Sequence, residues 1–594
     1  ISIVGLPLSP FLNEIAQTNL AILLSTFLSG LGAFLLARDM TKNVWAALFA
    51  GIAFAFCPFR MARVTAHVNF ALTQWLPLGI WSLFRMMETR QWKYVWWTAL
   101  FIALNQYSNQ YFTIYLILTM FLILSAGFLL FPQWQDVRLL RKLIPAAMIT
   151  VVFLSPQILP MYQEFRKAGI PSREGGELLA TKTSAGFRDY LSATSTNPLL
   201  RKLGISSNST VTSGWTVLVL GIVGIGAAFQ DRNRKLILMV LVGIFFLILS
   251  LGPELPVGLN RVIPLPYSLM LKIPGVNHVR IPYRFGVMVT LTLALTAAYA
   301  ISRWRGSVWL PIACCAILLL ELSPIPLQTK EYRPPAYFRS MGLKDGGVLL
   351  TLPFGFEADA SLIIRDQIFH KKKLLNGRLS RMPAAQYEYF TSIPVLQTFF
   401  SYTKPGHNPK RNVEEDQQSS SLFRKFFNVR YVAIYPPFSQ RQTIRQYILQ
   451  IFPDAKFVGE ESKIRFYELP GVEQNNFAPA PGDPGMKFFL YENWEAPARE
   501  SNSFLCRTGQ ASLLMPYTAT GQRVSGILTL RSRTPAAVRI RAGNSTLLEA
   551  TLSDAFTPFR WNVSDQDLQN AHHLLQLDCN SSSFELQSLA VRIE

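Results

Sequence analysis

The chain has 594 residues, half of them hydrophobic and only 16% charged, with a mean hydropathy of +0.23. That is too long for one core and too apolar for a wholly soluble protein, and a membrane half followed by two smaller domains fits both facts. The net charge of +21 excludes no membrane role and argues for no nucleic-acid partner, because much of it lies in short turns between apolar segments, where it sets topology and meets anionic headgroups.

Residues 1–17, ISIVGLPLSPFLNEIAQ, read as an exposed loop leading into a helix. The chain opens on Ile1, and the expectation is a fragment whose N-terminus lies upstream. A membrane core takes about 20 apolar residues as helix. Ten segments qualify, at roughly 18–37, 43–58, 68–85, 93–107, 111–131, 142–160, 214–230, 235–251, 284–302 and 307–323. Every second connection is rich in Lys and Arg: Arg38 to Lys42, Arg85 to Lys93, Arg138 to Lys142, Arg232 to Lys235 and Arg303 to Arg305. The positive-inside rule puts these in the cytoplasm, and both the first residue and everything after the last span outside. Residues 1–328 are thus expected to form a multi-pass domain with long outer loops at 161–213 and 252–283.

Beyond Pro326 the pattern changes. Short β-type runs (GGVLLTLPF, NVRYVAIYP, KFVGE, IRFYELP) alternate with helical stretches over 329–470, which predicts an α/β domain. Residues 471–485 read as a linker, and 486–594, with alternating runs such as SGILTLRS and AAVRIRAG, as a β-sandwich. Cys506 and Cys579 fall in that last domain, where a disulfide and two free strand thiols are equally consistent with the sequence.

Three outer clusters carry candidate chemistry. Arg60, Arg63 and His67 stand at the bundle mouth and suit a phosphate, the plain alternative being cations that anchor the interface by snorkelling. Asn69, Gln74, Asn105, Gln106, Tyr107, Asn109 and Tyr111 suit a sugar cavity of amides and rings; the alternative is a simple helical hairpin with belt tyrosines. Lys272, His278, Arg280 and Arg284 gather before the ninth span and suit a lipid phosphate, or again an anchor. The acids of the outer loops, Glu164, Glu174, Glu177, Asp189 and Glu254, form no recognisable catalytic pair. No motif for a metal, nucleotide or hydride cofactor occurs, so neither a cofactor nor a divalent metal has support.

The strings LSGLGAFLLARDMT, AFAFCPFRMARVTAHVNF with QWLPL, SLGPELP, LPYSLMLKIPGVNHVRIPYRFG, GGVLLTLPF and KKKLLNGRLSRMP occur in this order. Together they resemble bacterial membrane proteins of the GT-C glycosyltransferase superfamily, in particular the YfhO-like and related polytopic sets with an extracytoplasmic tail. The resemblance implies transfer of a sugar from a polyprenyl-phosphate donor to a glycan or lipid acceptor on the outer face of the bacterial cytoplasmic membrane. It also implies an acidic base in the first outer loop, which would lie upstream of residue 1, and a β-sandwich similar to carbohydrate-binding modules. Under it, Arg60, Arg63, Arg280 and Arg284 would hold the lipid phosphate. Two readings of another class stand beside it: a non-catalytic sugar-binding or polysaccharide-assembly and export component, and a lipid-linked sugar transporter. The transporter reading predicts ionisable residues at mid-depth, which these segments almost wholly lack.

Overall fold

The computed structural model describes residues 10–64, 67–168, 180–194, 197–203, 210–257, 261–273, 279–304, 306–323, 333–344, 346–355, 361–377, 384–403, 413–480, 483–495, 503–516, 521–581 and 583–594. The chain divides into two compact units, Ile1–Lys330 and Glu331–Glu594.

The first unit is helical. Its helices are α1 (Glu14–Thr41), α2 (Val44–Ala55), α3 (Pro58–Val64), α4 (Val68–Ala71), α5 (Trp75–Thr89), α6 (Trp92–Ser108), α7 (Gln110–Leu130) and α8 (Val137–Ala168). There follow α9 (Phe187–Leu191), α10 (Pro198–Lys202), α11 (Trp215–Gln230), α12 (Arg234–Ser250), the hairpin β1–β2 (Glu254–Val257, Arg261–Pro264), α13 (Tyr267–Met270), α14 (Gly286–Ser302) and α15 (Trp309–Leu322). Asparagines punctuate the turns: Asn13, Asn43 and Asn233 each accept the backbone N–H three residues on, supplying an acceptor that the first helical turn lacks.

Among the described residues, four helical stretches are long and apolar enough to cross a membrane: Ile15–Thr41, Gln110–Leu130, Arg141–Gln163 and Pro282–Ser302. The pair α2 and α3, bent by 41°, would make a fifth. The other segments expected to span are shorter helices of 14 to 17 residues. The third expected span, 68–85, is interrupted between α4 and α5, so only α5 carries its apolar length. Helix α8 contains Pro145, Pro156 and Pro160. Pro156 cannot donate to Val152, and the Ser155 hydroxyl bonds that carbonyl instead at 2.8 Å. The most buried helix is α14, which α11 approaches closely: a Cβ on Gly224 would overlap the Thr296 carbonyl oxygen. Small residues allow backbones to meet this way where no hydrophobic effect drives helices together.

The second unit is rich in strands. A mixed sheet has the order β4-β3-β5-β7-β6, with β3 (Val348–Leu352) parallel to β4 (Lys373–Leu374) and β5 (Val429–Ile434), and with β7 (Ile464–Glu468) antiparallel to β5 and β6 (Lys456–Glu461). Two antiparallel sheets follow. One has the order β10-β17-β12-β15, with β8 (Asn476–Phe477) added to β17; its strands are β10 (Phe504–Cys506), β12 (Arg523–Arg531), β15 (Thr557–Ser564) and β17 (Phe584–Ile593). The other has the order β14-β13-β16-β11-β9, from β9 (Leu490–Glu492), β11 (Gln510–Leu514), β13 (Ala536–Ala542), β14 (Ser545–Leu552) and β16 (Leu574–Cys579). Alternation decides which side is buried: in β13 the pattern Ala536, Val538, Ile540, Ala542 is buried and the arginines between face outward. One hydrophobic core joins the helices of the mixed sheet to both antiparallel sheets through Phe426, Phe427, Phe477, Phe488 and Phe489. Phe477, within the stretch that read as a linker, takes part in it, since β8 pairs with β17 and Phe477 is buried.

Cys506 and Cys579 are both free thiols in this structure. Cys506 lies in β10 with its sulfur against the Gln510 carbonyl and the Thr508 hydroxyl, whereas Cys579 ends β16 in the other sheet.

Candidate functional site

Segments distant in sequence, 58–64, 67–70, 111–115, 267–273 and 279–285, converge at one end of the helical unit. Arg63, on α3, donates from Nη2 to the Tyr283 hydroxyl and lies over the rings of Phe59 (5.5 Å) and Tyr283 (5.1 Å). Arg284, in the 3₁₀ turn Pro282–Phe285 before α14, stacks its guanidinium 3.7 Å from the centre of Phe70 and 5.4 Å from that of Tyr111. Beneath them Phe285 packs on Tyr115 at 4.4 Å and on Tyr267 at 6.1 Å.

Both arginines are more than nine-tenths buried, Arg63 at 8% and Arg284 at 6% exposure. Neither forms an ion pair with a described residue, and the Nε of each is buried without a hydrogen-bond partner among them. The Tyr115 hydroxyl is buried and equally unpartnered. A desolvated guanidinium carries five N–H donors, and cation–π contact replaces only part of what water supplied, ~2 kcal/mol. Two such groups, held by neighbouring residues at one end of the unit, favour an anion rich in acceptor oxygens. Burial pushes the Tyr267 hydroxyl pKa up, with Tyr111 adding to it, so Tyr267 stays protonated. It donates to the Val279 carbonyl and fixes the start of the 279–285 segment.

The remaining sequence candidates divide. Arg60 is wholly buried and joins three helices: Nε donates to the Ala71 carbonyl at 3.0 Å, Nη2 to the Thr26 hydroxyl at 3.1 Å and Nη1 to the Ala55 carbonyl. Its donors are taken up by two backbone carbonyls and the Thr26 hydroxyl. Gln74 accepts from Ser25 at 2.7 Å, Asn109 caps α7 and donates to the Asn69 carbonyl at 3.0 Å, and Tyr107 donates to the Phe153 carbonyl at 2.9 Å. These groups bond helices of the bundle to one another. Asn105 differs, being fully buried with neither amide atom hydrogen-bonded to a described residue. His67 is half-buried at the start of α4 with its ring 6.3 Å from Phe70, Gln106 and Arg280 are half-buried, and Asn69 and Lys272 are exposed. His278 lies outside the described residues.

Sequence reasoning passed over Tyr115, Tyr267, Tyr283, Phe70 and Phe285, because aromatic residues at a helix end read as membrane belt unless a cation is known to lie on them. It also passed over Glu321, whose carboxylate accepts from the backbone of Trp215 and, at 3.0 Å, of Thr216, capping α11 from α15. Asp189 caps its own helix through Gly186 at 2.7 Å. Both acids are therefore committed to helix N-termini.

Residues 8–159 match the family model described as dolichyl-phosphate-mannose-protein mannosyltransferase. No curated protein matches the sequence. Among solved structures, the arabinofuranosyltransferase AftD from Mycobacteria is 10% identical with a TM-score of 0.43, the match covering 97% of this chain and 54% of that one. The chain thus spans about half the length of AftD. ArnT from Cupriavidus metallidurans is 13% identical with a TM-score of 0.34, over 79% of this chain and 86% of that one, both in its apo state and bound to undecaprenyl phosphate. The family match falls on the first six candidate segments and the Arg60–His67 cluster, so over residues 8–159 the chain is similar to this mannosyltransferase family.

Proposed function

We propose that the protein is a multi-pass glycosyltransferase that takes a sugar from a polyprenyl-phosphate donor on the outer face of the cytoplasmic membrane and passes it to a cell-envelope acceptor. The observation that supports it is the pair Arg63 and Arg284, buried, without an ion pair among the described residues and lying over aromatic rings. The family matched over 8–159 is named for a transferase with a polyprenyl-phosphate sugar donor. On this reading about ten segments span the membrane, the basic turns face the cytoplasm, and the second unit, with its two antiparallel sheets as a β-sandwich, lies outside.

In this role the two guanidiniums bind the donor phosphate and stabilise the charge that grows on it as the anomeric C–O bond breaks. The aromatic cage excludes water, which strengthens that interaction. The phosphate leaves with the electron pair of the bond, and the acceptor hydroxyl attacks the anomeric carbon while losing its proton to a base. Neither Asp189 nor Glu321 is assigned that role, since both cap helices.

The test is transfer of labelled sugar from synthetic polyprenyl-phosphate donors in membranes containing the full chain. Arg63→Ala and Arg284→Ala each reduce kcat/KM by roughly a hundredfold or more, the scale of losing a charge-assisted contact in a dry site. Undiminished turnover in both variants removes the phosphate site, and absence of transfer from every donor favours the non-catalytic assembly role.

A further inference from the structure

The sheet formed by β8, β17, β12 and β15 has one face in the core, and strand alternation sends the intervening residues outward. Its register places Asn476 beside Arg592, Arg592 beside Ser525 and Ser525 beside Asn562. These four side chains form one row across four strands, roughly 14 Å long at a strand spacing of ~4.8 Å. In the next outward row Ala590 faces Ile527 and Ile527 faces Arg560. Arg560 and Arg592 thus stand on either side of the central strand, whose Ser525, with Ala590, keeps the floor low. The result is a trough of about 640 Å³.

Its floor is built from below. Gly526 has no side chain because Trp561 fills the space beneath it: a Cβ there would stand 2.5 Å from the indole. Trp561 is buried, and its Nε1 has no hydrogen-bond partner among the described residues. Arg592 is paired with Glu594 at 3.3 Å, whereas Arg560 has no ion pair with a described residue.

The chemistry of the row narrows the ligand. Two amides, a hydroxyl and a guanidinium offer donors and acceptors at regular intervals, which suits a chain of hydroxyl groups. Exposed Ile527 adds an apolar patch for the C–H face of a ring. An extended peptide would seek an open sheet edge rather than a face. A nucleic-acid backbone would need more cations and no Glu594. We propose that this outward face binds a short linear oligosaccharide laid across the strands along the row from Asn476 to Asn562.

The test uses the detergent-purified full chain, with no donor lipid present, so that its outcome is independent of transfer. Binding is read on immobilised tri- to hexasaccharides of mannose, glucose, galactose, arabinofuranose and N-acetylglucosamine. At least one series is retained, and affinity falls roughly tenfold or more in Arg592→Ala with Asn562→Ala, the scale of one or two lost hydrogen bonds to a charged or amide group. Ser525→Trp, which fills the trough from the solvent side, abolishes retention while the thermal unfolding of the protein stays that of the parent. No retention on any series, or retention unaffected by Ser525→Trp, overturns the site. Binding confined to vesicles of anionic lipid overturns it as well and marks the face as a membrane-contact surface.

Discussion

Arg63 on α3 donates to the hydroxyl of Tyr283, bridging 220 positions of sequence and tying the first loop of the helical unit to the turn that starts α14. The bond aims one guanidinium nitrogen and leaves Nε buried without a partner. Tyr283→Phe removes the acceptor while keeping the ring under the cation. The fold persists, and kcat/KM for a polyprenyl-phosphate donor falls roughly tenfold, as expected for one hydrogen bond to a charged group. A steady-state comparison with the parent checks this.

Arg60 and Arg63 are three residues apart, yet their variants are expected to fail differently. Arg60→Ala strips bonds from the Ala55 and Ala71 carbonyls inside the bundle. The Ala71 carbonyl keeps the Ser25 hydroxyl and the Thr73 N–H, whereas the abandoned Ala55 carbonyl costs about 1–3 kcal/mol. The variant therefore unfolds earlier in detergent, whereas Arg63→Ala keeps its melting temperature and loses donor binding. Parallel melting and binding curves separate the two.

Helix α11 meets α14 at Gly224, where a Cβ would overlap the Thr296 carbonyl oxygen. Gly224→Val forces the helices apart and destabilises the bundle by about 1–3 kcal/mol. Gly226 has open space around its Cβ position, and Gly226→Ala should leave the melting temperature nearly unchanged. Thermal unfolding of both variants reads the difference.

His370 predicts a pH effect in the second unit. Burial, with Lys372 beside it, lowers its pKa from 6.5 to about 4, and Nδ1 accepts the Lys372 backbone N–H at 3.0 Å. The folded state thus prefers the neutral ring. Its contribution is fully present above pH 6.5 and is lost as the pH falls to about 4, because the unfolded chain takes up the proton first; the total is at most ~3 kcal/mol. His573, also lowered by burial, acts in the same direction. His370→Asn keeps an acceptor but cannot titrate. Its stability, measured by denaturant between pH 7 and 4, falls less steeply than that of the parent.

The sequence shows much of this arrangement, and the reasons for what it hides are local. Apolar length and basic turns announce α1 and α7, while α5 starts late because the chain breaks between Leu72 and Gln74. Strand alternation marks β12 and β13, but β15 (TPFRWNVS) carries Pro558 and only three core-facing residues, and it forms the edge of its sheet. Arg60 and Arg63 are the same residue type in one short helix. Only tertiary packing distinguishes a guanidinium bonded to carbonyls from one lying over rings. Arg284 was legible as a cation near a helix end, but its neighbour Phe70 lies 214 positions away, which no local pattern records.

The central claim is that Arg63 and Arg284 bind the phosphate of a polyprenyl lipid. Equilibrium binding of radiolabelled polyprenyl phosphate and of the matching uncharged polyprenol to the purified full chain tests it most directly. The phosphate form is expected to bind at least about tenfold more tightly, and this preference to vanish in Arg63→Gln with Arg284→Gln. Equal affinity for the two lipids, or a preference that survives the double substitution, would contradict it.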